Sequence, residues 1–180
     1  MVFAPDTELE LRTVVHLINT AANQAELLGT EADLASFLDA ERFTGIRSGT
    51  PEELASVHML RGQLRALWGS SEEAAVEIIN RLLRAGRALP QLRRHDGCDW
   101  HFHATTPDAP LRDRMSTEAA MAVADVVRGK EMGRMLTCAA EDCDAVLIDL
   151  SRNRSKRYCD TGNCANRAHV AAYRARQAGI

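Results

Sequence analysis

Aromatic side chains are scarce in this chain: four Phe, two Trp and two Tyr among 180 residues, or 4%. Sandwiches and barrels draw on β-branched and aromatic residues, so with Ala and Leu abundant instead, packed helices are the expected architecture. Also missing is any run of about 18 apolar residues, which argues against a membrane-spanning helix. The opening Met1-Val2-Phe3-Ala4-Pro5-Asp6-Thr7-Glu8 has neither the basic nor the apolar part of a secretory leader, so a cytoplasmic location is expected. No repeat, low-complexity tract, phosphate loop, Ser-His-Asp set or paired catalytic carboxylates stands out, and no enzymatic role is expected.

What is present is enough apolar residue, 46% of the chain, for one ordinary domain plus a small satellite. The net charge of -3 hides an asymmetry. Residues 1–129 hold 13 Lys and Arg against 19 Asp and Glu, whereas 151–180 hold seven cations against Asp160 alone. An acidic body with a basic end suggests either an anionic partner for that end or attraction between the two parts.

Helix signals recur along the acidic part. Thr7 and Glu10 have capping-box spacing ahead of Leu11, Val14, Val15 and Ile18. Leu34, Phe37 and Leu38 mark a short second helix after Gly29-Thr30. Thr50-Pro51-Glu52-Glu53 opens a third, running towards Trp68-Gly69, and Ser70 or Ser71 caps a fourth that ends at Gly86. Residues 89–94 and 99–104 suggest a hairpin about His95-Asp96-Gly97, and Ser116–Val127 suggests a buried helix. Asn19 is unfavourable inside a helix, so it is expected to hold a neighbouring segment or face a site. His101 and His103 share one face of a strand, a spacing that suits a metal, but without a nearby carboxylate the ordinary reading is a solvated or hydrogen-bonded pair. Cys98 reads as a free thiol.

The chemistry is concentrated near the C-terminus. Cys138-x4-Cys143 and Cys159-x4-Cys164 are separated by fifteen residues, enough for a short excursion that brings both pairs round one ion. In a reducing compartment such pairs point to metal rather than disulfides. Four thiolates make a closed tetrahedral zinc shell, leaving no position for catalytic water, with Asp144, Asp160 and His169 outside it. An iron–sulfur cluster or a redox pair are the alternatives. Between the pairs, 145–150 reads as a strand with 155–158 returning beside it across Arg152-Asn153-Arg154, and Cys164 opens a final helix. The fold class expected is therefore mainly α, a helical N-terminal domain with a short β-hairpin and a small zinc-binding ββα module.

The run Cys138-x4-Cys143, Asp149-x-Ser151, Arg157-Tyr158-Cys159, Cys164-Ala165-Asn166-Arg167 and Ala171-Ala172-Tyr173-Arg174 resembles the CGNR zinc finger. Ala165 stands where the family name has glycine, and Tyr158 where tryptophan is frequent. Asn19-Thr20 and the 34–43 and 53–67 segments resemble the ABATE domain, the usual N-terminal companion. The resemblance implies a helical domain over 1–128, a linker at 129–136 and the finger at 137–180, in a stress-induced transcription regulator.

Arg152, Arg154, Lys156, Arg157, Asn166, Arg167, Arg174 and Arg176 are the candidate nucleic-acid contacts, since arginine suits bidentate phosphate and guanine recognition. One finger reads little sequence, so DNA binding implies a homodimer. The alternative is a zinc-stabilised protein-interaction or ligand-sensing module without DNA contact. In that case the helical part would hold a small molecule, with Asn19, Trp68 or Trp100 as lining residues.

Overall fold

The structure is a computed structural model that describes residues 2–94 and 100–177. Its elements follow in the order α1 (Pro5–Asn19), α2 (Glu31–Ala40), α3 (Pro51–Arg65), α4 (Glu72–Ala85), β1 (Gln91–Arg93), β2 (His101–His103), α5 (Leu111–Arg128), a 3-10 turn (Met132–Arg134), β3 (Met135–Thr137), β4 (Val146–Ile148) and α6 (Cys164–Gln177). Mainly helical architecture with two small hairpins is thus what the chain adopts.

Local chemistry sets most helix starts. Thr30 and Asp33 cap α2 reciprocally, Thr50 caps α3 ahead of Pro51, and Ser71 caps α4. The Thr7–Glu10 capping box does not form. Instead α1 begins at Pro5, whose fixed φ suits the first helical position. Thr7 is left to donate to Asp125 Oδ2 at 3.0 Å, tying α1 to α5.

Helix α5 is the hub, packing on α4, α1 and α3. Leu11, Val14 and Ile18 of α1, Leu60 and Leu64 of α3, Ile79 and Leu82 of α4 and Val123 and Val126 of α5 meet in one core. Each such side chain contributes about 1.5–3 kcal/mol relative to leaving it in water. Arg114, buried on α5, donates to the carbonyls of Thr44, Ile46 and Ala109 and so holds the loop after α2. Strands β1 and β2 pair antiparallel with Leu92 opposite Phe102. The expected turn at His95-Asp96-Gly97, together with Cys98, lies outside the described residues.

The second hairpin differs from expectation. Val146–Ile148 pairs with Met135–Thr137, not with 155–158. Asp149 explains why: its carboxylate accepts the Ser151 N–H at 2.8 Å and the Lys156 N–H at 3.0 Å, closing 149–156 into a side-chain-tied loop that cannot form a ladder. The first cysteine pair accordingly sits in the loop between β3 and β4.

Strand β4 is buried on both faces. Val146 and Ile148 join the core of the helical body, while Ala145 and Leu147 pack with the four cysteines and Ala22. Within 129–136, Arg134 and Met135 are buried, Met135 in that same helical core. Among the described residues no helix is long and apolar enough to cross a membrane.

Candidate metal centre

Two chain reversals deliver the sulfurs. In the first, the Cys138 N–H donates to the Ala145 carbonyl at 2.8 Å and the Cys143 N–H to the Ala140 carbonyl at 3.1 Å. In the second, the Cys159 N–H donates to Cys138 Sγ at 3.4 Å, and Cys164 enters the first turn of α6. Gly162 lies in close approach to the cluster, since a Cβ there would be 3.2 Å from Cys164 Sγ, a tight contact. Ala139 N–H donates to the Arg157 carbonyl at 2.9 Å, which ties the two reversals together.

All four Sγ atoms of Cys138, Cys143, Cys159 and Cys164 lie within 4.8 Å of one another, and all four residues are buried. Cys143 and Cys159 are 3.7 Å apart, Cys159 and Cys164 3.8 Å. Zn–S bonds of about 2.3 Å in tetrahedral geometry place sulfurs about 3.8 Å apart, so the cluster has the size of a zinc shell. Burial pushes the Cys143 thiol up to about 12. Cys159 is also penalised by burial, but hydrogen bonds from Thr161, Gly162 and its sulfur neighbours bring it down to about 7. Four buried sulfurs at this spacing cannot all carry charge without a cation among them, which is the service a dication performs.

The outer residues take other roles. Asp144 exchanges hydrogen bonds with Asn23, accepting from its N–H at 2.6 Å and donating to Asn23 Oδ1 at 3.0 Å, while Asp160 pairs with Lys156 at 2.5 Å. His169 is exposed on α6, outside the four-sulfur group.

The centre is seated on the helical body through β4. Asn19 donates from Nδ2 to the Val146 carbonyl at 2.9 Å and accepts the Val146 N–H at 2.8 Å, replacing a neighbouring strand. Trp68 Nε1 donates to the Leu147 carbonyl at 3.0 Å, and Arg65 Nη2 to the Asp144 carbonyl at 2.5 Å. Asn19 and Trp68, weighed above as pocket-lining residues, therefore hold a segment; Trp100 is 63% exposed on the β1–β2 hairpin. Asn23, Arg65 and Arg134 went unnoticed in the sequence. Arg134 bonds Glu131 and the carbonyls of Asp149 and Ser151 and thereby supports the Asp149 loop. Although burial raises the Asp149 carboxyl, its bonds to Ser151 and Lys156 and the Arg134 charge outweigh this and hold it below the usual range.

The basic residues divide into two groups. Arg154 pairs with Glu131 at 2.8 Å and Lys156 with Asp160. Arg167 pairs with Asp142 and donates to Cys164 Sγ at 3.2 Å, bridging the first cysteine loop and a metal-ligating sulfur. Arg152, Arg157, Arg174 and Arg176 are exposed and, among the described residues, make no ion pair; Asn166 is also exposed.

A four-cysteine centre docked on a helical body defines a zinc-finger protein. The chain belongs to the ABATE family, described as "Putative stress-induced transcription regulator", whose model matches residues 11–130, well over half of the chain; the CGNR zinc finger model matches residues 134–177. No curated protein matches it. With the finger and the cysteine geometry in agreement, the four cysteines form a zinc-binding site.

Proposed function

We propose that the protein is a non-enzymatic transcription regulator that binds DNA through the unit held by its zinc site. The observation that carries this reading is the placement of α6. Only Cys164 of this helix is buried, and the helix carries Arg167, Arg174 and Arg176 with no acid. A helix that projects from a metal-anchored base fits a major groove, and Arg152 and Arg157 on the adjoining loop suit flanking phosphates. So short a reader needs a second copy for specificity, so the active species is a homodimer acting in the cytoplasm.

The test is binding of the zinc-loaded protein to a pool of genomic fragments across a salt series. Affinity should fall steeply with salt, by about 0.9 in log K per log salt for each phosphate contact. Arg174→Ala with Arg176→Ala should weaken it without loss of zinc, because among the described residues neither side chain makes an ion pair. Salt-independent binding, or an unaffected double variant, sinks the reading.

A second reading, effector sensing, is favoured by a cleft of about 330 Å³ between α1 and the Asp149 loop. Val15, Ile148 and Leu150 line it with apolar surface, and Arg12, His16, Lys156 and the Asp160 paired with Lys156 supply polar groups, a lining suited to a small polar organic molecule. Ligand in that cleft would bear on both the body and the finger.

A further inference from the structure

The histidine pair on β2 gains from the fold the carboxylate that its sequence neighbourhood lacks. Trp100 and Phe102 face outward, 63% and 53% exposed, while His101 and His103 alternate with them and are half-buried. The two Nε2 atoms lie 2.9 Å apart, with ring centroids separated by 4.8 Å. On its other side, His103 presents Nδ1 to Glu118 Oε1 of α5 at 3.7 Å.

We propose that His101 and His103 form a second metal site, a two-imidazole chelate for a divalent first-row ion of the Ni²⁺ type, with Glu118 as the carboxylate that orients His103. With the Glu118 carboxyl 3.7 Å from Nδ1, charge rather than a hydrogen bond favours the proton on that nitrogen, which leaves the Nε2 lone pair to a metal. The two Nε2 atoms, 2.9 Å apart, share one proton in a hydrogen bond, and a cation can take the place of that proton. With metal–nitrogen bonds of about 2.05 Å, ligands at a right angle lie about 2.9 Å apart, whereas a tetrahedral ion separates them by about 3.3 Å. The spacing therefore suits adjacent positions of a square or octahedral ion. On binding, the ion takes the place of the shared proton and each ring carries its hydrogen on Nδ1.

Two buried carboxyls lie behind the histidines and are coupled to any charge placed there. Burial, partly offset by Arg114 and His101, raises the Glu118 carboxyl to about 7. Beyond it, burial together with Glu118 and Glu41 raises Glu10 to about 8. Positive charge added at the imidazoles would let this acidic interior ionise more readily. Among the described residues only the four cysteines supply three or more converging ligand atoms, so the histidine site has a different character.

Ni²⁺ titrated into the zinc-loaded full chain, followed by calorimetry and by native mass spectrometry to count both metals, tests the proposal. One Ni²⁺ per chain should bind with zinc retained. His101→Gln and, separately, His103→Gln should abolish the event while keeping full zinc content and an unchanged unfolding midpoint. Glu118→Gln should weaken it 10- to 100-fold, the range for partners that orient a ligand, and His169→Gln should not affect it. Absence of a second metal, Ni²⁺ entering only by displacing zinc, or tight binding that survives both histidine variants would overturn the site; an unchanged affinity in Glu118→Gln would overturn the role given to Glu118.

Discussion

Asn19→Ala should loosen the attachment of the zinc unit to the helical body while leaving the metal ligands untouched. The side chain satisfies both backbone groups of Val146, at 2.9 and 2.8 Å, in a fully buried setting. Alanine leaves that N–H and that carbonyl unpaired, each at about 1–3 kcal/mol, so the pair costs about 2–6 kcal/mol. Against a total stability of about 5–15 kcal/mol this is a large fraction. A loss of about 3 kcal/mol would lower the thermal midpoint by roughly 6–12 °C in a chain of this size. Ser36→Ala is the control, since its hydroxyl donates to the Ala32 carbonyl in an exposed position on α2 where water can replace it. Urea unfolding should be followed by helical circular dichroism and by Trp68 fluorescence, because the Trp68 indole bonds Leu147 at the seam. A Trp100→Phe background leaves Trp68 as the sole reporter, as the chain has two tryptophans. A loss in Asn19→Ala below about 0.5 kcal/mol, or no larger than that in Ser36→Ala, would refute the reasoning.

Two further outcomes follow from the buried groups. Chelating zinc should expose the amides of Ala139, Cys143 and Arg167 to hydrogen exchange while those of α4 and α5 stay protected, because the cysteine cluster is small and metal binding supplies its folding energy; unchanged protection in metal-free protein would contradict this. Burial and the neighbouring Glu118 and Glu41 raise Glu10 to about 8 from 4.5, so the folded chain keeps a proton that the unfolded chain releases. Its contribution is complete below about pH 4.5 and fades as pH rises through about 8. Glu10→Gln should therefore flatten the decline in stability over that window, measured by denaturation at successive pH values, and an identical decline in the variant would remove Glu10 as its cause.

The zinc ligands were readable because their chemistry is carried by residue type and close spacing. Caps at Thr30, Thr50 and Ser71 were readable because a cap acts over three residues. The partner of β4 was not. Periodicity chooses a strand's inward face only when the other face is polar, and Val146, Leu147 and Ile148 are apolar on both. What selects the pairing is the Asp149 loop and the Asn19 amide, the latter 127 residues away in sequence. Asn19 was visible as an oddity on a helix, yet nothing local named Val146. Charge patterning found the basic end but could not show that Arg167 turns back to Asp142 and Cys164 whereas Arg174 and Arg176 remain exposed.

Strand β4 belongs to two cores at once, and this limits how the protein can be divided. A cut placed before β3 would strip Met135, Val146 and Ile148 from the wall of the helical bundle and leave a hydrophobic trench along α1. The excised finger would carry the matching apolar stripe on its surface, an adhesive edge where the intact chain has an interior. The finger is therefore not a portable cassette. Transplanting it onto another protein would require a host that supplies its own equivalent of α1, with an amide placed like that of Asn19.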